Sequence, residues 1–186
     1  MHVRRRRNVL EVSLDEDRLT ERAVEQLAAV SGSPLVTALV GRSGQDAGVY
    51  LLSYRGDHPL YAPAAQSGQP IYVGSTTSLH NRLVRHVHSL SEVNDFDPDD
   101  IVVKLVRCPS WHAAAHLEGL LTERLAPLWN QRWLAGFGSR AQGPGRVGHQ
   151  RRSAWDTLHP GRRWATGAVK FDRASLIDQV AAHLRG

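Results

Sequence analysis

An arginine and a histidine are spaced so that both could hold one phosphate group. Arg82 and His86 are four residues apart in a segment of helical periodicity, residues 79–90, so their side chains lie on one face of the predicted helix. A forked guanidinium beside an imidazolium is a suitable pair of donors for phosphate oxygens. A helix flank with incidental charge is the alternative interpretation of the same two residues.

A carboxylate falls in the apolar stripe of a second predicted helix, over about residues 111–125. Ala114, Glu118 and Leu121 follow the helical period, which predicts that Glu118 is drawn into the protein with its apolar neighbours. A buried carboxylate is tolerated when it is paired, protonated or bound to a cation. Glu118 therefore calls for a partner, a proton or a cation, whereas Glu123 falls among polar positions and is predicted to be a surface residue.

Two segments that are predicted to form short strands each contain a tyrosine. Residues 49–52 and 71–73 are apolar, β-branched or aromatic, and they contain Tyr50 and Tyr72. The intervening segment is rich in glycine and proline, which predicts a hairpin with a long loop. A buried hairpin with both tyrosines in the core is the structural alternative.

The remaining periodic segments complete the predicted set of elements. A capping box at Ser13 opens a helix that continues to about Val30, and a final helix runs from Arg173 to about Leu184. Residues 101–106 form an apolar strand, and residues 95–100 form a solvated turn.

Length and composition restrict the class of protein. The chain has 186 residues, enough for one domain with a sizeable core, and 41% of them are hydrophobic. Acidic residues follow the basic N-terminus where a signal peptide would be apolar, and no apolar run reaches the length of a membrane span. A single cysteine, Cys108, excludes an internal disulfide framework. These features predict a cytoplasmic protein without a membrane partner.

The positive charge is concentrated at one end of a single predicted domain. Residues 1–45, an N-terminal arm and helix, contain 7 basic and 6 acidic side chains. Residues 46–135, the predicted core, contain 7 basic and 9 acidic side chains, and residues 136–186 contain 9 and 3. This C-terminal extension therefore supplies the excess charge, which indicates a polyanionic partner. Its aromatic residues favour a folded extension over a disordered one: Phe137, Trp155, Trp164 and Phe171.

Five of these elements, in order, resemble the motif series of the GIY-YIG endonuclease superfamily. They are Gly48-Val49-Tyr50, Tyr72-Val73-Gly74, Arg82-x-x-x-His86, Glu118 and Pro127-x-x-Asn130. Valine replaces isoleucine in both tripeptides, which is a change that keeps the packing volume nearly constant. Ser75 stands where many members of the superfamily have lysine.

The C-terminal extension resembles that of the type II restriction endonucleases built on this core. The similar segments are Gly136-Phe137-Gly138, Pro144-Gly145-x-x-Gly148, Trp155-Asp156-x-Leu158-His159-Pro160-Gly161-Arg162 and Trp164-Ala165. The resemblance implies an α/β fold, with a small mixed or antiparallel sheet flanked by helices. It also implies a sequence-specific, Mg²⁺-dependent endonuclease that hydrolyses phosphodiester bonds in double-stranded DNA.

The same resemblance gives roles to three of the motif residues. Glu118 is expected to hold the Mg²⁺ ion, for which Mn²⁺ can substitute, because this ion is often bound through a single carboxylate and several waters. Arg82 is expected to grip the non-bridging phosphate oxygens. Asn130 is expected to keep the site in register.

The identity of the general base stays open between three residues. Tyr50 is the first candidate, and Tyr72 would orient the phosphate or share the role. A free tyrosine has a pKa near ~10, so the phenol would have to be acidified in the site. Since Ser75 replaces the usual lysine, His86 is an alternative base.

An arginine-rich segment is expected to contact the DNA. Residues 139–163 contain six arginines and a single acid, together with glycines that let a loop follow a groove closely. We expect base contacts from residues 149–152 and phosphate contacts near Trp164. The predicted DNA-binding residues are Arg140, Arg146, His149, Gln150, Arg151, Arg152 and Arg162.

A homodimer is the simplest way to cut both strands of a two-fold symmetric site with one active site per chain. A cognate DNA methyltransferase encoded nearby is a further expected partner. Two alternatives remain at this point. One is a nuclease that acts on structured or damaged DNA in repair, and the other is a DNA-binding protein of the same fold that does not cleave.

Overall fold

The computed structural model describes residues 16–39, 46–138 and 152–186. The α-helices in these ranges are α1 (Glu16–Ala29), α2 (Ala62–Ser67), α3 (Leu79–Ser91), α4 (Trp111–Leu125), α5 (Ala154–Leu158) and α6 (Arg173–Arg185). The strands are β1 (Ser33–Pro34), β2 (Gly48–Tyr54), β3 (Pro70–Thr76) and β4 (Ile101–Arg107). The four helices expected from periodicity are present as α1, α3, α4 and α6. The capping box predicted at Ser13 lies outside the described residues.

The four strands form one antiparallel sheet in the order β1-β4-β2-β3. Tyr50 of β2 pairs with Gly74 of β3, and Leu52 pairs with Tyr72, so the predicted hairpin is confirmed. Side chains alternate along a strand, and paired residues share a face, so both tyrosines lie on the same face of the sheet. With helices on both faces, the predicted α/β fold is confirmed.

Each face of the sheet is covered by its own apolar cluster. The face that carries the tyrosines packs against α3, α5 and α6, where Leu83, Leu158 and Val180 are almost completely buried. The opposite face packs against α1 and α4, and its buried residues include Val73 and Leu121. Since α3 and α4 approach the sheet from opposite sides, side chains of the two helices can meet only where the sheet ends.

The segment between β2 and β3 contains a helix that the loop prediction does not include. A 3₁₀ turn over Pro59–Tyr61 leads directly into α2. Pro63 lies in the first turn of α2, where its missing N–H has no intrahelical partner to lose, and Gly68 ends the helix with a φ of 68°. The prediction of a continuous loop is therefore wrong for this part of the segment.

The C-terminal extension packs into the same cluster as the tyrosine face of the sheet. Its helix α5 begins with a capping box between Ser153 and Asp156, and Trp155 is completely buried. Gly161 lies against the backbone at the end of α3, where an added Cβ would collide with the Glu92 carbonyl oxygen and the Val93 Cα. The absence of a side chain thus lets the extension approach α3 closely.

Within the described ranges, no helix combines the length and the apolar character that crossing a membrane would need.

Candidate active site

The Tyr50 hydroxyl group is the centre of a buried hydrogen-bonded group. The phenol is completely buried on β2, and its oxygen lies 2.7 Å from His86 Nε2 on α3. Arg82 Nε, one turn earlier on the same helix, donates to this oxygen at 3.0 Å. Arginine can only donate, so the Tyr50 oxygen accepts from Arg82, and in the tautomer that leaves His86 Nε2 unprotonated the Tyr50 hydroxyl group donates to His86.

Burial and charge together favour the neutral forms of both rings. Burial raises the pKa of Tyr50 well above its usual value, with a further contribution from the nearby Tyr72, although Arg82 acts in the opposite sense. Burial lowers the pKa of His86 well below its usual value, and the charges of Arg82 and Arg162 lower it further. These shifts favour the neutral imidazole of His86 over the imidazolium that the sequence predicts to bind a phosphate.

Tyr72 lies beside this group, and its ring centroid is 6.0 Å from that of Tyr50 and 5.6 Å from that of His86. Two glycines leave room for the phenol oxygens. An added Cβ on Gly74 would collide with the Tyr50 hydroxyl group, and one on Gly138 would collide with the Tyr72 hydroxyl group. Any larger residue at either position would displace a tyrosine of the site.

Asn130 holds the outer edge of β3 by a pair of hydrogen bonds. Its Oδ1 accepts from the Val73 N–H at 2.9 Å, and its Nδ2 donates to the Val73 carbonyl oxygen at 2.8 Å. The side-chain amide thus satisfies the free backbone groups of an edge residue in the way a neighbouring strand would. Val73 lies between Tyr72 and Gly74, so this contact positions the tyrosine strand.

The Glu118 carboxylate lies on the other side of β3, half-buried on α4. Ser75 Oγ donates to Glu118 Oε2 at 2.5 Å. Among the residues that the structure describes, no cluster of three or more His, Cys, Asp or Glu side chains could hold a metal ion. A single carboxylate with a neighbouring hydroxyl group nevertheless fits Mg²⁺, which keeps several of its waters and needs few protein ligands.

An open groove is lined by one partner of the carboxylate and one partner of the phenol. It has a volume of about 350 Å³ and is lined by Ser75, Thr76, Thr77, Ser78, Asn81, Arg82, Arg85 and Trp111. Its lining includes Ser75, which bonds to Glu118, and Arg82, which bonds to Tyr50. A group bound in the groove would therefore lie beside partners of both Glu118 and Tyr50.

Arg162 is placed differently from the prediction. Its side chain is 4% exposed, and it donates to the Gly136 carbonyl oxygen, to Asp156 and to Ser89. Both terminal nitrogens of this guanidinium bond to protein partners, and the residue does not face solvent. This burial contradicts the prediction that Arg162 anchors a DNA phosphate.

The other predicted DNA-binding residues are described only in part. Arg152 is partly buried, and its Nε donates to the Ala165 carbonyl oxygen at 2.9 Å. The rest lie outside the described residues: Arg140, Arg146, His149, Gln150 and Arg151.

The sequence analysis missed two contacts of the site. Ser75 comes two residues after Val73 on β3, so strand alternation alone would have predicted that it faces α4 and Glu118. Phe137 stacks on His86 with ring centroids 4.8 Å apart and an interplanar angle of 17°. No periodic pattern around Phe137 indicates where its ring lies.

The model of one known family matches most of the chain. The model of the Eco29kI GIY-YIG domain matches residues 42–184, which include both tyrosine strands, α3, α4 and the C-terminal extension. No individual curated protein matches the chain. With most of its length matched, the chain belongs to the Eco29kI family of GIY-YIG restriction endonuclease domains, whose members are nucleases that act on DNA.

Proposed function

We propose that the protein is a Mg²⁺-dependent, sequence-specific endonuclease of the type II class, which hydrolyses phosphodiester bonds in double-stranded DNA. The observation that carries the proposal is the Tyr50 hydroxyl group, which lies between the Arg82 Nε and the neutral His86 Nε2. Such a group can take a proton from water and pass its own proton on. Hydrolysis of a phosphodiester needs this transfer beside a cation that holds the phosphate.

The attacking water loses its proton through Tyr50 to His86. The water gives a proton to the Tyr50 oxygen while the Tyr50 hydroxyl proton is transferred to His86 Nε2 along their hydrogen bond, whose heavy atoms are 2.7 Å apart. The phenol is neutral before and after the transfer, so its raised pKa does not oppose the relay. The lowered pKa of His86 does oppose it, and the negative charge of a bound phosphate would offset this effect by stabilising the imidazolium. The new O–P bond then forms as the bond to the leaving 3′ oxygen breaks, that oxygen takes a proton from solvent, and His86 returns its proton to solvent. In this proposal Tyr50 and His86 share the role of general base, and Tyr72 orients the phosphate.

In this proposal Arg82 and a cation held by Glu118 would balance the negative charge of the phosphate. The N–H groups of Arg82 that do not contact Tyr50 would donate to the non-bridging oxygens. Glu118 would hold Mg²⁺, or Mn²⁺ in its place, with Ser75 orienting the carboxylate. When bound there, the ion would stabilise the negative charge of the phosphate and of the leaving oxygen.

The DNA strand would continue along the groove beside the site. Arg85 is exposed on α3, and Trp111 is 48% exposed at the start of α4, on the wall of the same groove. Arginine beside hydroxyl groups suits a phosphate adjacent to the one that is cut, and the indole suits the apolar face of a deoxyribose. We propose that sequence is read by the extension, with residues 149–152 as the base contacts.

Both strands of a symmetric site would be cut by a homodimer, and host DNA would be protected by a cognate methyltransferase. These partners rest on the proposed restriction activity.

The proposed function predicts that Glu118→Gln abolishes cleavage of plasmid DNA in Mg²⁺ while it preserves DNA binding. The amide keeps the shape of the side chain but removes the charge that would hold the cation. The matched control is Glu123→Gln, five residues later on α4, where the side chain is exposed. This control should cleave at the wild-type rate.

Digestion of a plasmid library by the wild-type protein, followed by sequencing of the product ends, measures specificity in the same experiment. A single recurrent sequence at the cut sites is expected. Equal cleavage by the wild-type protein and Glu118→Gln would reject the metal site. Wild-type ends without a common sequence would reject the type II assignment.

A further inference from the structure

Arg162 is a buried cation with a neutralising partner and several further contacts that link separate parts of the chain. Its Nη1 donates to the Gly136 carbonyl oxygen at 2.9 Å and to Asp156 Oδ1 at 3.2 Å, and its Nη2 donates to Ser89 Oγ at 2.5 Å. Burial lowers the pKa of Arg162, and Asp156 acts in the opposite sense. A buried charge is costly unless its geometry is specific, so the position calls for a function beyond packing.

The contacts of Arg162 lead to the face of His86 through aromatic rings. The guanidinium carbon lies 4.0 Å from the centroid of the Trp155 ring, and the centroid of Trp155 is 5.3 Å from that of Phe137. Phe137 in turn stacks on His86. Because the Gly136 carbonyl oxygen accepts from Arg162, the backbone immediately before Phe137 is held by the same side chain.

A second connection runs through α3 itself. Ser89 follows His86 by three residues, so the two side chains lie on the same part of the helix surface. The bond from Arg162 to Ser89 therefore fixes the rotation of α3 relative to the extension. The site residues Arg82 and His86 depend on that rotation for their contacts with Tyr50.

We propose that Arg162 is a positioning residue of the nuclease site, which holds Phe137 against His86 and fixes α3 so that the imidazole stays turned toward Tyr50. The inference rests on the proposed function, because it concerns the positioning of His86, the proton acceptor in that reaction. Arg162 is thus assigned to the protein interior next to the catalytic residues, and not to the DNA-binding surface. Its effect on the reaction is indirect, because Arg162 does not contact Tyr50 in the structure.

The test removes the link to α3 without removing the buried charge. Ser89→Ala abolishes the acceptor for Arg162 Nη2 and retains a good helix-forming residue. The matched control is Ser91→Ala on the same helix, where the exposed hydroxyl group donates only to the Val87 carbonyl oxygen at 2.9 Å. Arg162→Lys is the second variant, because lysine keeps the charge but cannot reproduce the fork.

Two measurements are made on each folded variant. The first is kcat for plasmid cleavage, which we expect to fall roughly 10- to 100-fold in Ser89→Ala and Arg162→Lys, as for a small misplacement of catalytic groups. The second is the NMR titration of the His86 imidazole, whose pKa is held down by burial and by Arg82 and Arg162. Looser packing admits water around the ring, so this pKa should rise toward its usual value in both variants.

The imidazole titration does not depend on cleavage, so it separates this inference from the proposed function. If the wild-type protein fails to cut DNA but the His86 pKa still rises in Ser89→Ala, the positioning role stands and the nuclease assignment fails. If Ser89→Ala keeps both the wild-type kcat and the wild-type titration, as Ser91→Ala should, Arg162 only stabilises the fold. Loss of thermal stability alone, with both readouts unchanged, would also overturn the proposal.

Discussion

At the scale of single residues, the direction of proton transfer follows from which groups can donate. The Arg82 guanidinium contacts the Tyr50 oxygen as a donor, and a neutral His86 accepts the phenolic proton in the tautomer whose Nε2 is unprotonated. A tyrosinate would be stabilised by Arg82, yet burial and Tyr72 outweigh that effect on the Tyr50 pKa. The arrangement therefore favours a relay through a neutral phenol over a base that is ionised in advance.

Removal of the phenolic oxygen should abolish this relay and leave the ring packing intact. We expect Tyr50→Phe to lower kcat for DNA cleavage on the order of 10²- to 10⁴-fold, the usual contribution of general base catalysis. The matched control is Tyr54→Phe, on the same strand and face, whose hydroxyl group accepts from the His58 N–H at 2.8 Å. Tyr54→Phe should lose some stability but retain kcat. Equal losses of kcat in the two variants would contradict the relay.

The chemistry of the site could be anticipated from the sequence better than its protonation. The residue types and the spacing of Arg82 and His86 indicate a phosphate site, and the structure does bring both to Tyr50. The lowered pKa of His86 could not be anticipated, because its largest cause is burial, and the ring is covered by Phe137, which is distant in sequence. Helical periodicity describes one element and carries no information about what packs on it.

At the scale of secondary structure elements, the site depends on an edge strand that is completed by a side chain. β3 ends the sheet in the part of the chain that is described, and the backbone of its buried residue Val73 is satisfied by Asn130. The 3₁₀ turn Leu128–Asn130 presents this amide directly after α4. The same connection thus links the helix that carries Glu118 to the strand that carries Tyr72.

Truncation of this amide should affect stability and activity together. We expect Asn130→Ala to lower the free energy of unfolding by about 1–3 kcal/mol, because a buried N–H and a buried carbonyl group lose their partner. We also expect kcat to fall about tenfold as β3 shifts. Gln131→Ala is the control, since that side chain bonds only to the Ala126 and Pro127 carbonyl oxygens. Chemical denaturation and plasmid cleavage measure the two effects, and a wild-type kcat in Asn130→Ala would show that the amide does not position the site.

Long periodic elements could be predicted from the sequence, and short ones could not. Thirteen-residue α3 and fifteen-residue α4 have clear apolar stripes. Helix α2 has only six residues, and its Pro63 and Gly68 act as terminal residues of a helix where the same residue types are typical of loops. Strand β1 consists of Ser33–Pro34 and exists only because it pairs with β4. Two residues are too few to show any period.

At the scale of the whole molecule, the extension is joined to the rest of the fold by buried polar groups. His159, completely buried, contacts the Tyr61 hydroxyl group through Nε2 at 2.7 Å and Asp95 through Nδ1 at 3.0 Å. Trp129 Nε1 donates to the same hydroxyl group at 2.9 Å. His86 and His159 are thus both buried at places where the extension contacts the remainder of the chain.

These two histidines should make the protein sensitive to mild acid. Burial lowers the pKa of both imidazoles below the usual value of 6.5, and for His159 it does so against the raising effect of Asp95. Below that pH the unfolded chain binds protons that the native state does not, so the free energy of unfolding must decrease as the pH falls. Each group contributes a slope of up to about 1.4 kcal/mol per pH unit in this window.

Denaturant unfolding of the wild-type protein between pH 7 and pH 5 measures this slope. As far as these two histidines are concerned, the free energy of unfolding should be nearly constant above pH 6.5. It should decrease as the pH falls below 6.5. His159→Gln keeps a hydrogen-bonding side chain beside Tyr61 but cannot be protonated, so its slope should be smaller by up to about one proton, or about 1.4 kcal/mol per pH unit. The variant should be less stable at pH 7 because it lacks the contact with Asp95. The informative quantity is therefore the pH slope of the free energy of unfolding, and not its value at pH 7. A wild-type slope in His159→Gln would show that the contact between the extension and the core does not respond to pH through His159.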